Sequence, residues 1–241
     1  MNQASDRIEN SSSKRWGLVD VIVVFFLGLF LGVFAAVLGL LVFELILGHE
    51  PSGTFNFVLL TCLLYLGFAV SVWLWIIKFR GVTPRALGFN PVPIGAIYTM
   101  FPVFLLMLVV NVLVTLVMTL LLGPYENPQT QEIERLIISK QDLIGVLFTI
   151  AIVAPVVEET LFRGVLYRYL RSRLGVPISI ILTSSVFAVV HFIPVIFPLL
   201  FVAGCFLAWV SEKYDSLYPS MFLHFLNNAT MVLLLYSAMK L

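Results

Sequence analysis

Apolar stretches long enough to cross a bilayer recur about seven times along the 241 residues, near 17–47, 55–78, 94–123, 141–162, 177–193, 196–212 and 218–239. A helix needs about 20 apolar residues, at ~1.5 Å of rise each, to span the hydrocarbon core. In that solvent every backbone N–H and C=O must find its partner within the protein, which favours helices over open sheets. The sequence therefore predicts an all-α fold, a polytopic membrane helical bundle with about seven transmembrane helices. A mean hydropathy of +1.06, with 61% hydrophobic and 11% charged residues, excludes an ordinary soluble domain. The formal net charge of +1 offers no basic surface for nucleic acid, so the bilayer is the expected environment. Cys62 and Cys205 lie far apart in apolar runs, without CxxC spacing, and do not suggest a disulfide or a thiolate metal site.

Residues 1–15 are polar, with a Ser11-Ser12-Ser13 run, and read as a disordered tail ahead of a single membrane-embedded helical domain over 16–241. The apolar stretch from Trp16 to Gly48 is longer than a signal-peptide core and is expected to stay as the first span. The fifth and sixth spans are short and joined by Ile193-Pro194-Val195-Ile196-Phe197-Pro198, which suits a tight membrane-embedded hairpin. Lys78 to Pro93, with Gly81, Pro84, Gly88, Pro91 and Pro93, reads as a structured loop. With the N-terminus in the cytoplasm, the inner segments collect Arg7, Lys14, Arg15, Lys78, Arg80, Arg85, Arg163, Arg168, Arg171, Arg173 and Lys213, leaving Arg135, Lys140 and Lys240 outside. The bias predicts N-in and C-out. Between Pro124 and Gln141 the acidic outer segment spaces Ile133, Leu136 and Ile137 as one amphipathic turn that could lie flat on the membrane. Asp20 and Glu44 are expected to reach the headgroups, and Trp16, Trp73, Trp75 and Trp209 to act as interfacial anchors.

Inside these apolar runs sit a few ionisable side chains, each costing about 2.5–3.5 kcal/mol at mid-bilayer, which marks them as functional candidates. The fourth span reads Pro155-Val156-Val157-Glu158-Glu159-Thr160-Leu161-Phe162-Arg163. On a helix Glu159 and Arg163 are i and i+4 and can pair, while Glu158 points about 100° away and stays free to work. Pro155 removes a backbone hydrogen bond and is expected to bend the helix beside Glu158. If Leu174-Gly175-Val176-Pro177 turns a helical hairpin, Glu158 lies 17 residues before Gly175 and His191 lies 16 after it. Equal rise sets them level, about 24 Å above the turn. His224 and Asn228 are i and i+4 on the last span and can present an imidazole and an amide to one point. The depth of His224 matches that of Glu158 only if helices tilt or Arg168 to Arg173 protrude from the membrane. Together the groups suit hydrolysis: a carboxylate to take a proton from water, an imidazole to orient it, and two donors for an oxyanion. His49, in an outer loop, reads as a surface residue.

With Glu158-Glu159 to Arg163, Phe187 to His191, and His224 to Asn228 identified, the chain resembles the CPBP family of CAAX proteases and bacteriocin-processing enzymes. Phe162-Arg163-Gly164, Leu217-Tyr218-Pro219-Ser220 and, more weakly, Arg80-Gly81 to Leu87-Gly88-Phe89 are similar to the family's wording, so the resemblance covers about 78–232. It implies an intramembrane endopeptidase acting on a membrane-associated or lipid-modified peptide. The general base would be Glu158, the water-aligning group His191, the oxyanion donors His224 and Asn228, and the supporting residues Glu159, Arg163 and Phe187. No cofactor is favoured. Zinc held by Glu158, His191 and His224 is the alternative, with Asn228 a poor ligand. The competing functions are a non-proteolytic bacteriocin-immunity or scaffold protein of the same family, and a transporter or proton relay, which no internal repeat and no Gly/Pro-interrupted helix pair supports. The short chain and small loops suggest a bacterial plasma membrane.

Overall fold

A computed structural model of the chain describes residues 16–49, 51 and 53–239. The tail expected over 1–15, with Arg7, Lys14 and Arg15, and the C-terminal Lys240 lie outside the described residues. Among the described residues six helices are long and apolar enough to cross a membrane: α1 Leu18–Leu47, α2 Gly53–Phe79, α3 Ile94–Leu122, α5 Lys140–Leu174, α7 Pro194–Tyr214 and α8 Leu217–Ala238. Between them lie the short amphipathic α4, Pro128–Leu136, and α6, Val176–Val189, which at 14 residues rises only about 21 Å. The fifth of the seven apolar stretches is thus shorter than expected, and α6 and α7 form a hairpin at whose tip Phe192 is exposed. The fourth is longer, continuing from 162 to Leu174.

In lipid there is little hydrophobic gain in pairing helices, so close backbone approach has to supply the packing. The pair α1–α2 does this through glycine. A Cβ on Gly32 would stand 2.6 Å from the carbonyl oxygen of Leu64, and one on Gly67 would strike the backbone of Gly32. Ser71 Oγ then donates to the Val24 carbonyl at 2.9 Å. At the start of α1, Asp20 is only 6% exposed. It accepts from Trp75 Nε1 at 2.9 Å and pairs with Arg80 at 3.2 Å, so it locks α1 to α2 and does not reach into the headgroups. Trp16 is likewise no interfacial anchor. It is buried, and its indole N–H donates to the Val165 carbonyl at 2.9 Å. Only Trp73 and Trp209 present large exposed surfaces, 49% and 42%.

The two ends of the bundle differ in charge. One collects Lys78, Arg80, Arg85, Arg168, Arg171, Arg173 and Lys213 around the α2–α3, α5–α6 and α7–α8 connections. Here Arg168 pairs with Asp215 at 2.7 Å and Arg171 with Glu212 at 2.9 Å. Arg163, grouped with these cations on sequence, is instead fully buried inside the bundle. The opposite end carries Glu126, Glu132, Glu134 and Asp142 beside Arg135 and Lys140. There α4 does not simply lie on a membrane surface: Leu136 and Ile137 pack against Val146 and Val232, and Thr54 Oγ1 donates to the Leu136 carbonyl at 2.5 Å.

The loop 80–93 is non-helical apart from one 3₁₀ turn, Pro84–Leu87. Gly88 follows it at φ +100°, a conformation that excludes a side chain in practice, and its carbonyl accepts the first amide of α8, Leu217 N–H, at 2.8 Å. That bond and the Arg168–Asp215 pair fix the vertical register of α8 against α5. Glu158 lies ten residues before Arg168 and His224 nine after Asp215, about 15 Å and about 14 Å of rise. The two side chains come level because the α7–α8 turn meets Arg168 and leaves Arg171 to Leu174 projecting beyond it.

Candidate active site

The acidic pair sits in a six-residue α-helical segment, Ala154–Glu159, between two π-helical stretches, Phe148–Val153 and Thr160–Tyr167. Insertions of this kind are common at functional sites, because they re-aim side chains without ending a helix. Pro155 gives a local reason for the first. Ala154 N–H already donates five residues back, to the Thr149 carbonyl; the next carbonyl in that register, Ile150, would face the nitrogen of Pro155, which carries no hydrogen. The amide of Asn228 donates to that carbonyl instead, at 2.9 Å. Proline on one helix and asparagine on another thus satisfy one backbone group between them.

Glu159 and Arg163 pair as the i, i+4 spacing predicts, Nη1 to Oε1 at 2.7 Å, with both side chains fully buried. Arg163 also donates to the Gly204 carbonyl on α7 at 3.1 Å, and its guanidinium lies 4.7 Å from the centre of the Phe187 ring. The same Oε1 of Glu159 lies 3.1 Å from His224 Nδ1. A carboxylate paired to arginine is an acceptor only, so His224 Nδ1 carries the hydrogen and Nε2 is turned the other way. That nitrogen stands 3.8 Å from Glu158 Oε2. Glu159 is therefore a hub between α5 and α8 as well as the partner of Arg163, a role nothing in local spacing announces.

Glu158 is part-exposed, at 14% of its side chain. Its Oε1 accepts the phenol of Tyr65, from α2, at 2.5 Å. Tyr65 was not legible as a site residue: it sits among apolar residues 93 positions away, and the only available signal was a hydroxyl in the middle of a membrane span. His191 lies in a turn two residues past the end of α6, not on the helix as expected; Pro194 discourages helix just after it, and Phe192 is left-handed at φ +55°. Its Nδ1 is 2.6 Å from the Phe187 carbonyl, which can only accept, so Nδ1–H donates and Nε2 is free. The Phe187 ring lies between the two imidazoles, 4.8 Å from His191 and 6.0 Å from His224. Asn228, besides donating to Ile150, accepts from Asn227 Nδ2 at 3.1 Å, and its second amide hydrogen remains available.

Glu158, His191, His224 and Asn228 all line one cavity of about 1360 Å³, mostly apolar and bounded by α1, α2, α3, α5, α7 and α8. Glu159 and Arg163 are sealed behind it. For zinc, a fit would need Glu158 and both imidazoles converging on one point. Among the described residues no three His, Cys, Asp or Glu side chains are placed to hold a metal ion. As arranged, this donor set does not fit the metal. Cys62 and Cys205 are free thiols.

Residues 140–230 match the family described as Type II CAAX prenyl endopeptidase Rce1-like. No curated protein and no solved structure matches the chain. The matched stretch holds every side chain of the cluster except Tyr65, which α2 contributes from outside it. From Lys140 to Thr230 this membrane protein is similar to Rce1-like type II CAAX prenyl endopeptidases.

Proposed function

We propose that the chain is an intramembrane endopeptidase that hydrolyses a peptide bond in a membrane-associated or lipid-modified substrate, as the name of its matching family suggests. The observation that carries this reading is the pairing of a part-exposed carboxylate, Glu158, with an imidazole nitrogen 3.8 Å away, on the wall of a cavity large enough for a peptide. Water held between Glu158 and His191 Nε2 loses a proton to Glu158 as its oxygen attacks the scissile carbonyl. The resulting oxyanion receives hydrogen bonds from the His224 ring and from the free amide hydrogen of Asn228. Glu158 then passes the proton to the departing amine, and the C–N bond breaks. Glu159, Arg163 and Phe187 hold the two imidazoles in place. Tyr65 orients Glu158 through its phenol. In this reading no metal takes part.

Membranes containing the active chain are compared with membranes containing Glu158→Gln, and the peptides that differ are identified by mass spectrometry. Products that appear only with the active chain, from protein purified without stoichiometric zinc and indifferent to chelation, are expected. Zinc-dependent turnover would overturn the metal-free mechanism, and identical peptide profiles would favour an immunity or scaffold role.

Tyr65→Phe removes a single hydrogen bond to a charged group, worth about 1.5–3 kcal/mol. The expected result is a fall of roughly tenfold to a hundredfold in kcat with KM little changed. A change in KM alone would mean that Tyr65 shapes the cavity and does not orient Glu158.

A further inference from the structure

The cavity is closed toward one end of the bundle and reaches toward the other. Toward the basic end it meets a packed floor in which Ile76, Leu87 and Val165 have no exposed surface, with Trp16 and Phe162 beside them. Next to that floor, Met100, Met107, Leu207 and Leu223 close the gap between α3, α7 and α8. None of the basic-end cations borders the cavity.

Toward the acidic end the lining turns polar. On α3, Asn111, Thr115 and Thr119 follow one another at i, i+4 and i+8, so they form one stripe, and all three border the cavity. Asn111 Oδ1 is buried without a partner, in a helix whose other residues are nearly all apolar. Above them the cavity is bordered by Gln129, Thr130 and Glu132 of α4. A buried amide without a hydrogen bond is costly, and a polar stripe in a membrane helix lowers that cost only if water or a peptide backbone reaches it. The stripe leads from the level of the site to the end where the acidic residues gather.

Lysine and arginine mark the cytoplasmic ends of membrane helices. From these observations we infer that the site is served from the non-cytoplasmic face: its substrate is a peptide segment presented at, or inserted into, the leaflet away from the cytoplasm. A lipid-modified C-terminus on the cytoplasmic leaflet would face the packed floor. The identity of the ligand as a substrate rests on the endopeptidase reading; the direction of access does not.

The test uses the full chain with Cys62 and Cys205 replaced by Ala, carrying one new cysteine at a time: Thr119→Cys in the stripe, Gln129→Cys at the rim, and Arg85→Cys at the basic end. Each is placed in a bacterial inner membrane and treated, in right-side-out and in inverted vesicles, with a charged maleimide that does not cross lipid. Thr119→Cys and Gln129→Cys are expected to react at least about tenfold faster in right-side-out vesicles, and Arg85→Cys faster in inverted ones. Thr119→Cys reacting faster in inverted vesicles, equally in both, or in neither would overturn the inference. A quenched peptide carrying one acyl anchor, added to the same vesicles, is expected to be cleaved only in the right-side-out preparation. Cleavage only in the inverted one would also overturn it. If the labelling pattern holds and Glu158→Gln vesicles match the active ones in peptide turnover, the access route stands and the hydrolase assignment fails.

Discussion

Glu158→Gln is expected to reduce peptide hydrolysis by roughly 10²–10⁴-fold, the usual contribution of a positioned acid–base group, while the folded protein is preserved. Glutamine has the shape of glutamate and can still accept the Tyr65 phenol, so the hydrogen bond at Oε1 survives. It cannot accept a proton from water. Its side chain is part-exposed to the cavity, and in the wild type Oε2 stands 3.8 Å from His224 Nε2, too far for a hydrogen bond to be lost there. Single-turnover cleavage of a membrane peptide by protein in lipid vesicles, with thermal unfolding in parallel, measures both quantities. Activity within threefold of the wild type would remove Glu158 as the base. An unfolded variant would instead assign the cluster a structural role.

The opposite pattern is expected at the residue sealed behind it. Arg163→Met keeps most of the side-chain volume but leaves the Glu159 carboxylate fully buried without its guanidinium, a class of change that costs about 3–5 kcal/mol. Two further contacts go with it, the donation to the Gly204 carbonyl and the stacking on Phe187. Thermal unfolding in detergent should show a large loss of stability and, with it, of activity. The double variant Arg163→Met with Glu159→Gln should recover much of the stability, since no unpaired charge remains. If the single variant is as stable as the wild type, Glu159 cannot be an ionised partner held by Arg163, and the assignment of the hydrogen on His224 Nδ1 loses its basis.

The sequence alone determined whatever depends on near neighbours along one helix and on composition over twenty residues. Apolar length set the helical membrane fold. The i, i+4 rule set Glu159 against Arg163, and the Gly175 turn was legible from Gly-Val-Pro. Tertiary structure decided what depends on how helices are slid and rotated against one another. Asp20 and Trp16 looked like interfacial residues because each sits near the end of an apolar run, yet partners 55 and 149 positions away draw them inside. His191 leaves its helix because of the turn that the prolines after it impose. Tyr65 reaches Glu158 only because α1 and α2 pack through glycine and bring α2 against α5. His224 is level with Glu158 because Arg168 grips Asp215, and the direction in which the cavity runs follows from which end of the bundle is packed. The physical reason is common to all of these: a bilayer rewards any apolar helix alike, so composition specifies that a segment crosses, while the few polar and glycine contacts between helices specify its depth and its facing.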